Sequence, residues 1–236
     1  MFLAPEPIFE QIVIDNRNSR DQMNGSGRNS RENQNLSILV PEQYMRRPAC
    51  RQYFARCEEY LVSLNFPDEL RIKHKDMCYC KSCLATDNQE KCREKTKSRA
   101  TSSLCDGWAQ FSLATRFPRD RYQWPICFYG VRHPEYIADI VGNTKFDSHN
   151  GKVVTSPSIR YAANKNFSPK QIFHASDGNH YKAQIVIKCR QQPNRFAAQP
   201  RIYVVKDLPD PNELLHWLSD AASLYMCAIM LRLTKN

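Results

Sequence analysis

Cys78, Cys80 and Cys83 stand within the six residues Cys-Tyr-Cys-Lys-Ser-Cys, a spacing that suits a metal ion. Zinc favours thiolates in a tetrahedral array. A Cys-x-x-Cys knuckle such as Cys80 to Cys83 lets two sulfurs converge on one ion, and Cys78 supplies a third from the same loop. Spacing does not set the fourth ligand: Cys50, Cys57, His74, Cys92 and Cys105 all qualify, with Cys50 favoured and His74 next. A redox role requires Cys-x-x-Cys at a helix start in a thioredoxin-like βαβ unit, and the preceding Ile-Lys-His-Lys-Asp-Met is no buried parallel strand. The competing reading, free thiols around a hydrophobic corner, needs no metal. Nothing beside the cluster points to an open coordination position, so the expected zinc is structural rather than catalytic. His133, His174, His180 and His216 are scattered without metal-ligand spacing, and no nucleophile elbow marks a hydrolytic triad.

These residues belong to a chain of 236 residues, 42% hydrophobic, which suffices for one core with tails. Lys and Arg outnumber Asp and Glu by 34 to 24, a formal charge of +10, so an acidic partner is expected. Nucleic acid, an acidic protein and a phosphorylated surface all fit that charge. The start, Met1-Phe-Leu-Ala-Pro-Glu-Pro7, lacks the basic region and unbroken apolar run of a secretory signal. The longest apolar run, Leu224 to Leu231, is far below the roughly 18 residues of a membrane span. The protein is therefore expected in the cytoplasm or nucleus, away from membranes. There thiols stay reduced, and zinc explains the ten cysteines better than disulfides.

Three portions are legible along the chain. Residues 1–43 read as a largely disordered tail, because the polar run 16–35 offers no burial to offset ordering entropy. Within it, the β-branched and aromatic stretch 8–14 reads as a docking strand. Residues 44–123 form a Cys-rich helical and loop portion. Its helix starts at Pro48, carries Tyr53, Phe54, Cys57, Tyr60, Leu61 and Leu64 on one face, and ends at Pro67. The basic loop Lys91 to Arg99 is a candidate phosphate contact but lacks interleaved aromatics for stacking, so a basic nucleic-acid-binding module ranks third among the readings. Residues 124–236 read as a sheet region forming one compact unit with 44–123. Strands are expected at 124–129, 181–188, 201–205 and 224–233. Helices are expected at 134–141 and from Asp210, the latter burying Leu214, Leu215, Trp217 and Leu218. The class is mixed α+β, without βαβ alternation. Only seven glycines and no phosphate loop argue against a Rossmann or P-loop site.

The order of motifs carries further information. Cys50-Arg-x-Tyr53 precedes Cys-Tyr-Cys-x-x-Cys (78–83), then Gly-Trp-Ala-Gln-Phe-Ser-Leu (107–113). Phe128-Tyr-Gly130, Ser-Pro-Ser-Ile-Arg-Tyr-Ala (156–162), Asp-Leu-Pro-Asp-Pro (207–211) with Trp217, and a strand ending Leu-Arg-Leu233 follow. Over most of residues 48–236 this order resembles the C-terminal region of neuralized-like protein 4 and its relatives. That region is similar to the ADP-ribosyltransferase fold of the poly-ADP-ribose polymerase type, a split β-sheet holding NAD in a cleft, with flanking helices and here a Cys-rich, zinc-binding N-terminal portion.

The resemblance implies NAD as cofactor, with Tyr129, Gly130, Ser156, Ser158 and Tyr161 as its contacts and Tyr129, Tyr161 and Glu213 as catalytic residues if the module is active. In that chemistry an aromatic ring stacks on the nicotinamide, a His holds the ribose, and a carboxylate stabilises the oxocarbenium-like centre. Tyr161 matches the stacking tyrosine. Tyr129 stands where the family has His, and Glu213 is the only carboxylate close before Trp217. Two interactions aimed at the reacting centre are thus altered, each worth about 2–4 kcal/mol of barrier by analogy with a deleted oxyanion donor. The leading expectation is a catalytically degenerate module acting as a protein-interaction or regulatory factor, in ubiquitin-ligase or cytoskeletal assemblies as the relatives suggest. The alternative is an active NAD-dependent mono-ADP-ribosyltransferase.

Overall fold

Apolar side chains recur every three or four residues through Pro48–Ser63, and in the computed structural model this stretch is helix α1, burying Cys50, Phe54, Cys57, Tyr60 and Leu61. Residues 48–79, 107–115, 123–199 and 216–236 are described. The expected stop at Pro67 comes late. Asn65 adopts a left-handed conformation (φ 54°), and the Phe66 N–H bonds back to the Leu61 carbonyl at 3.1 Å, so the helix closes before the proline is reached.

The described strands form two antiparallel sheets. The larger contains β1 (Met77–Tyr79), β2 (Trp108–Ser112), β3 (Ile126–Gly130), β5 (Gln171–His174), β6 (His180–Gln191) and β9 (Leu224–Lys235). Its order is β1-β2-β9-β6-β3, with β5 sharing the β3 side of β6. The smaller has β8 (His216–Asp220) between β4 (Lys152–Thr155) and β7 (Phe196–Gln199). Strands β6 and β9 are the longest, and their central apolar runs are buried on both faces because packing covers both. A shift of register between Lys188 and Cys189 leaves Cys227 as a bulge between paired residues.

Pleat alternation sorts the core. Ala109, Phe111, Tyr129, Ile185, Ile187, Ile229 and Leu231 gather on one face with α1 and with α2 (Ile137–Gly142). Trp108, Phe128, Val186 and Met230 gather on the other with Tyr79 and with Ile159 and Ala162 of the short helix α3 (Ile159–Ala162). The second face carries polar members too. Gln184 donates to the Ala163 and Ser168 carbonyls at 2.6 Å each and accepts from Arg232 at 2.7 Å, while the Arg232 guanidinium lies over the Trp108 ring at 4.6 Å.

The expected strands at 124–129, 181–188 and 224–233 and the helix at 134–141 are present with shifted ends. The strand expected at 201–205 lies outside the described residues. The helix expected to bury Trp217 and Leu218 is overturned where it is described: these residues lie in β8. Trp217 sits opposite Thr155 and Ala198 and stacks on Phe196 with ring centroids 4.3 Å apart. The local pattern suits a helix, but two strands offering hydrogen bonds on both sides outweigh it. Met77–Tyr79, expected as metal-binding loop, is an edge strand paired to β2. Strands β1 and β2 thus lie in the same sheet as β3, β6 and β9. Among the described residues, no helix is long and apolar enough to cross a membrane.

Candidate functional site

Strand β3 presents Phe128, Tyr129 and Gly130 to alternate faces, and the sheet decides what each meets. Tyr129 is buried, its ring edge-on to Phe146 at 5.1 Å. Its hydroxyl oxygen accepts the Asp147 backbone N–H at 3.1 Å. Burial pushes the phenol up to about 12, so it stays protonated at neutral pH. At Gly130 a Cβ would come within 2.3 Å of the Ala162 carbonyl oxygen and 2.6 Å of the Phe167 Cβ. Only glycine permits that approach of α3, which closes the space over the Gly130 backbone.

On the far edge of β3, Phe128 and Ser156 exchange backbone hydrogen bonds of 2.7 and 3.0 Å, tying β3 to the end of β4. The Ser156 hydroxyl accepts the Ser158 N–H at 3.0 Å and so shapes the entry to α3. Ser158 is buried and its own Oγ has no hydrogen-bond partner among the described residues. Tyr161 is 1% exposed; its ring packs on Phe167 at 5.4 Å and lies parallel to the His216 imidazole, 4° between planes and 6.2 Å between centroids. His216 itself is fully buried with neither ring nitrogen hydrogen-bonded among the described residues, and burial holds its pKa below the usual value.

The sequence-predicted residues thus divide. Ser156, Ser158 and Tyr161 lie on or beside α3, which packs on the Phe128 and Gly130 face, while Tyr129 projects to the opposite face with α2. Glu213 lies outside the described residues. Sequence reasoning missed His216, because a histidine inside an apolar run carries no sign of what it stacks on. It also missed Phe146 and Asp147, eighteen residues beyond Tyr129 in the case of Asp147. Beside Tyr129 opens a cavity of about 600 Å³, floored by the buried Tyr129, Ile140 and Phe146 and rimmed by Arg132, Tyr136 and Lys145. An apolar floor with a few polar groups at that volume is the size class of a small-molecule site.

The thiols have their own setting. Cys50, Cys57 and Cys78 are buried and His74 is exposed, whereas Cys80, Cys83, Cys92 and Cys105 lie outside the described residues. Burial pushes the Cys57 thiol up, opposed by the Tyr53 hydroxyl and reinforced by Cys78. Tyr53 also donates to the Gly107 carbonyl at 2.5 Å and accepts the Leu233 N–H at 2.9 Å, locking α1 onto β2 and β9. Among the described residues, no three His, Cys, Asp or Glu side chains gather to hold an ion.

No protein-family model matches this chain, and no curated protein matches it.

Proposed function

We propose that the chain is a catalytically degenerate ADP-ribosyltransferase-like module that works as a protein-interaction or regulatory factor. The observation that carries this reading is the internal engagement of both aromatic side chains assigned to NAD. Tyr129 is held by Phe146 and the Asp147 amide, and Tyr161 packs on Phe167 and lies parallel to His216. A nicotinamide ring would have to displace the chain's own imidazole from Tyr161. Tyr129 projects to the face opposite α3 and its hydroxyl accepts the Asp147 amide, so it offers no short hydrogen bond to a ribose hydroxyl on the α3 side. The net charge of +10 favours an acidic partner protein, and the resemblance points to ubiquitin-ligase assemblies. Calorimetric titration with NAD, together with a labelling assay on the protein itself and on a lysate, tests the reading. No heat of binding and no transfer are expected. Saturable binding accompanied by labelling overturns it in favour of an active mono-ADP-ribosyltransferase.

A structural zinc belongs to the same reading. Strand β1 ends at Tyr79, one residue before Cys80, and buries Cys78, while α1 buries Cys57. Cys50, the favoured fourth ligand, lies two turns before Cys57 on the same helix and is also buried. A bound zinc would hold these sulfurs as thiolates and join the edge strand to α1.

A further inference from the structure

His174 ends β5 and His180 begins β6, and the hairpin sets them directly opposite one another. Its turn is well tied. The Gly178 N–H bonds to the Ala175 carbonyl at 3.0 Å with Gly178 at φ 75°, and Asp177 accepts the Asn179 N–H at 2.9 Å and the Tyr181 hydroxyl at 3.0 Å. The Ala175 N–H donates to the Asn179 backbone carbonyl at 3.1 Å. That makes 175 and 179 the hydrogen-bonded pair and leaves 174 and 180 as the neighbouring non-hydrogen-bonded pair, the type in which side chains stand closest. Phe173 and Ala175 are buried on the α1 face, so both imidazoles project from the other face, where both are exposed.

Their ring centroids are 4.4 Å apart and the planes 86° from each other. A metal–nitrogen bond of about 2.0–2.1 Å puts a ring centre about 3.1 Å from the ion, so two imidazoles at 90° on one ion have centres about 4.4 Å apart and at the tetrahedral angle about 5.1 Å. The observed spacing fits the right-angle arrangement. We infer that His174 and His180 form a surface chelate site for a divalent transition-metal ion of the nickel(II) or copper(II) type, whose tetragonal preference and affinity for imidazole match that arrangement. Lys182, exposed on the same face opposite Ile172, adds a positive charge nearby. With no carboxylate supplied by the pair, magnesium and calcium, which need oxygen ligands, are excluded. The two-imidazole site is separate from Cys50 and Cys57 on α1 and from Cys78 on β1.

The test uses the untagged full chain and nickel(II) chloride, an ion that thiols do not reduce. Calorimetric titrations compare the wild type with His174→Ala, His180→Ala, the double variant, and His149→Ala as an exposed histidine away from the hairpin. Each hairpin variant is expected to bind nickel at least tenfold more weakly. The double variant should bind no more weakly than either single one, because a chelate is lost with its first arm. His149→Ala should bind like the wild type, and nickel should raise the melting temperature of the wild type but not of the hairpin variants. Unchanged nickel affinity in His174→Ala and His180→Ala, or equal weakening in His149→Ala, overturns the site. Loss of metal-free stability without loss of nickel affinity also overturns it, since it would make the pair a cross-strand aromatic contact alone.

Discussion

At the scale of single residues, His216 is the most consequential side chain for the behaviour of the fold. It is buried against Tyr161 with no hydrogen bond to either nitrogen among the described residues, so its charged form is disfavoured in the folded state. The unfolded chain binds a proton at that histidine near pH 6.5, whereas the folded chain binds it only at lower pH. Stability is therefore fully present above about pH 6.5 and falls as the pH drops toward the folded value, with a slope of at most about 1.4 kcal/mol per pH unit for one proton. Urea denaturation of the wild type and His216→Gln between pH 7.5 and 5 should show the slope in the first and a reduced slope in the second. Equal slopes would assign the pH dependence to other groups. Little of this was legible beforehand. The motif around Tyr161 singled out the tyrosine, but its stacking partner comes from β8, fifty-five residues on, and such pairings leave no local pattern.

At the scale of elements, one ion-pair cluster holds the turns after α1 in place. Arg71 donates to Glu58 at 2.9 Å, to Asp68 at 3.2 Å and to Asp76 at 2.9 Å, and its guanidinium lies 4.8 Å from the centre of the Phe111 ring. Asp76 in turn accepts the Ser112 N–H at 2.6 Å, so α1, the 68–76 turns and β2 meet at this pair. Burial pushes the Asp76 carboxyl up against the opposing pull of Arg71 and that amide. Removing one partner of a buried pair strands the other charge. Asp76→Asn should cost about 3 kcal/mol, at the lower end for such pairs because Glu58 and Asp68 still engage Arg71; urea denaturation measures it. A change below 1 kcal/mol would make the cluster a minor contributor. Elements whose periodicity agreed with their packing, such as α1 and β9, were readable in the sequence. The 216–220 segment was not, because its strand is decided by β4 and β7 lying on either side.

At the scale of the molecule, the larger sheet separates the two aromatic residues that the motif order groups together, placing Tyr129 toward α1 and α2 and α3 toward the opposite face. A structural zinc would act at this scale too, by joining the edge strand β1 to α1. Elemental analysis should find about one equivalent of zinc, and chelation should lower the stability of the whole unit in a denaturant titration. A metal-free preparation of undiminished stability overturns the zinc. The sequence by itself determined the mixed α+β class, helix α1, the long strands β6 and β9 and the spacing of the thiols. Each of these rests on side-chain periodicity or on contacts between residues near in the chain, which local physical chemistry dictates. The tertiary structure alone decided that 216–220 is a strand, that Tyr161 meets His216, and that His174 and His180 stand opposite one another with their rings edge-on. Those outcomes depend on which strands pair and in what register, and pairing energy comes from partners far along the chain that no local window contains.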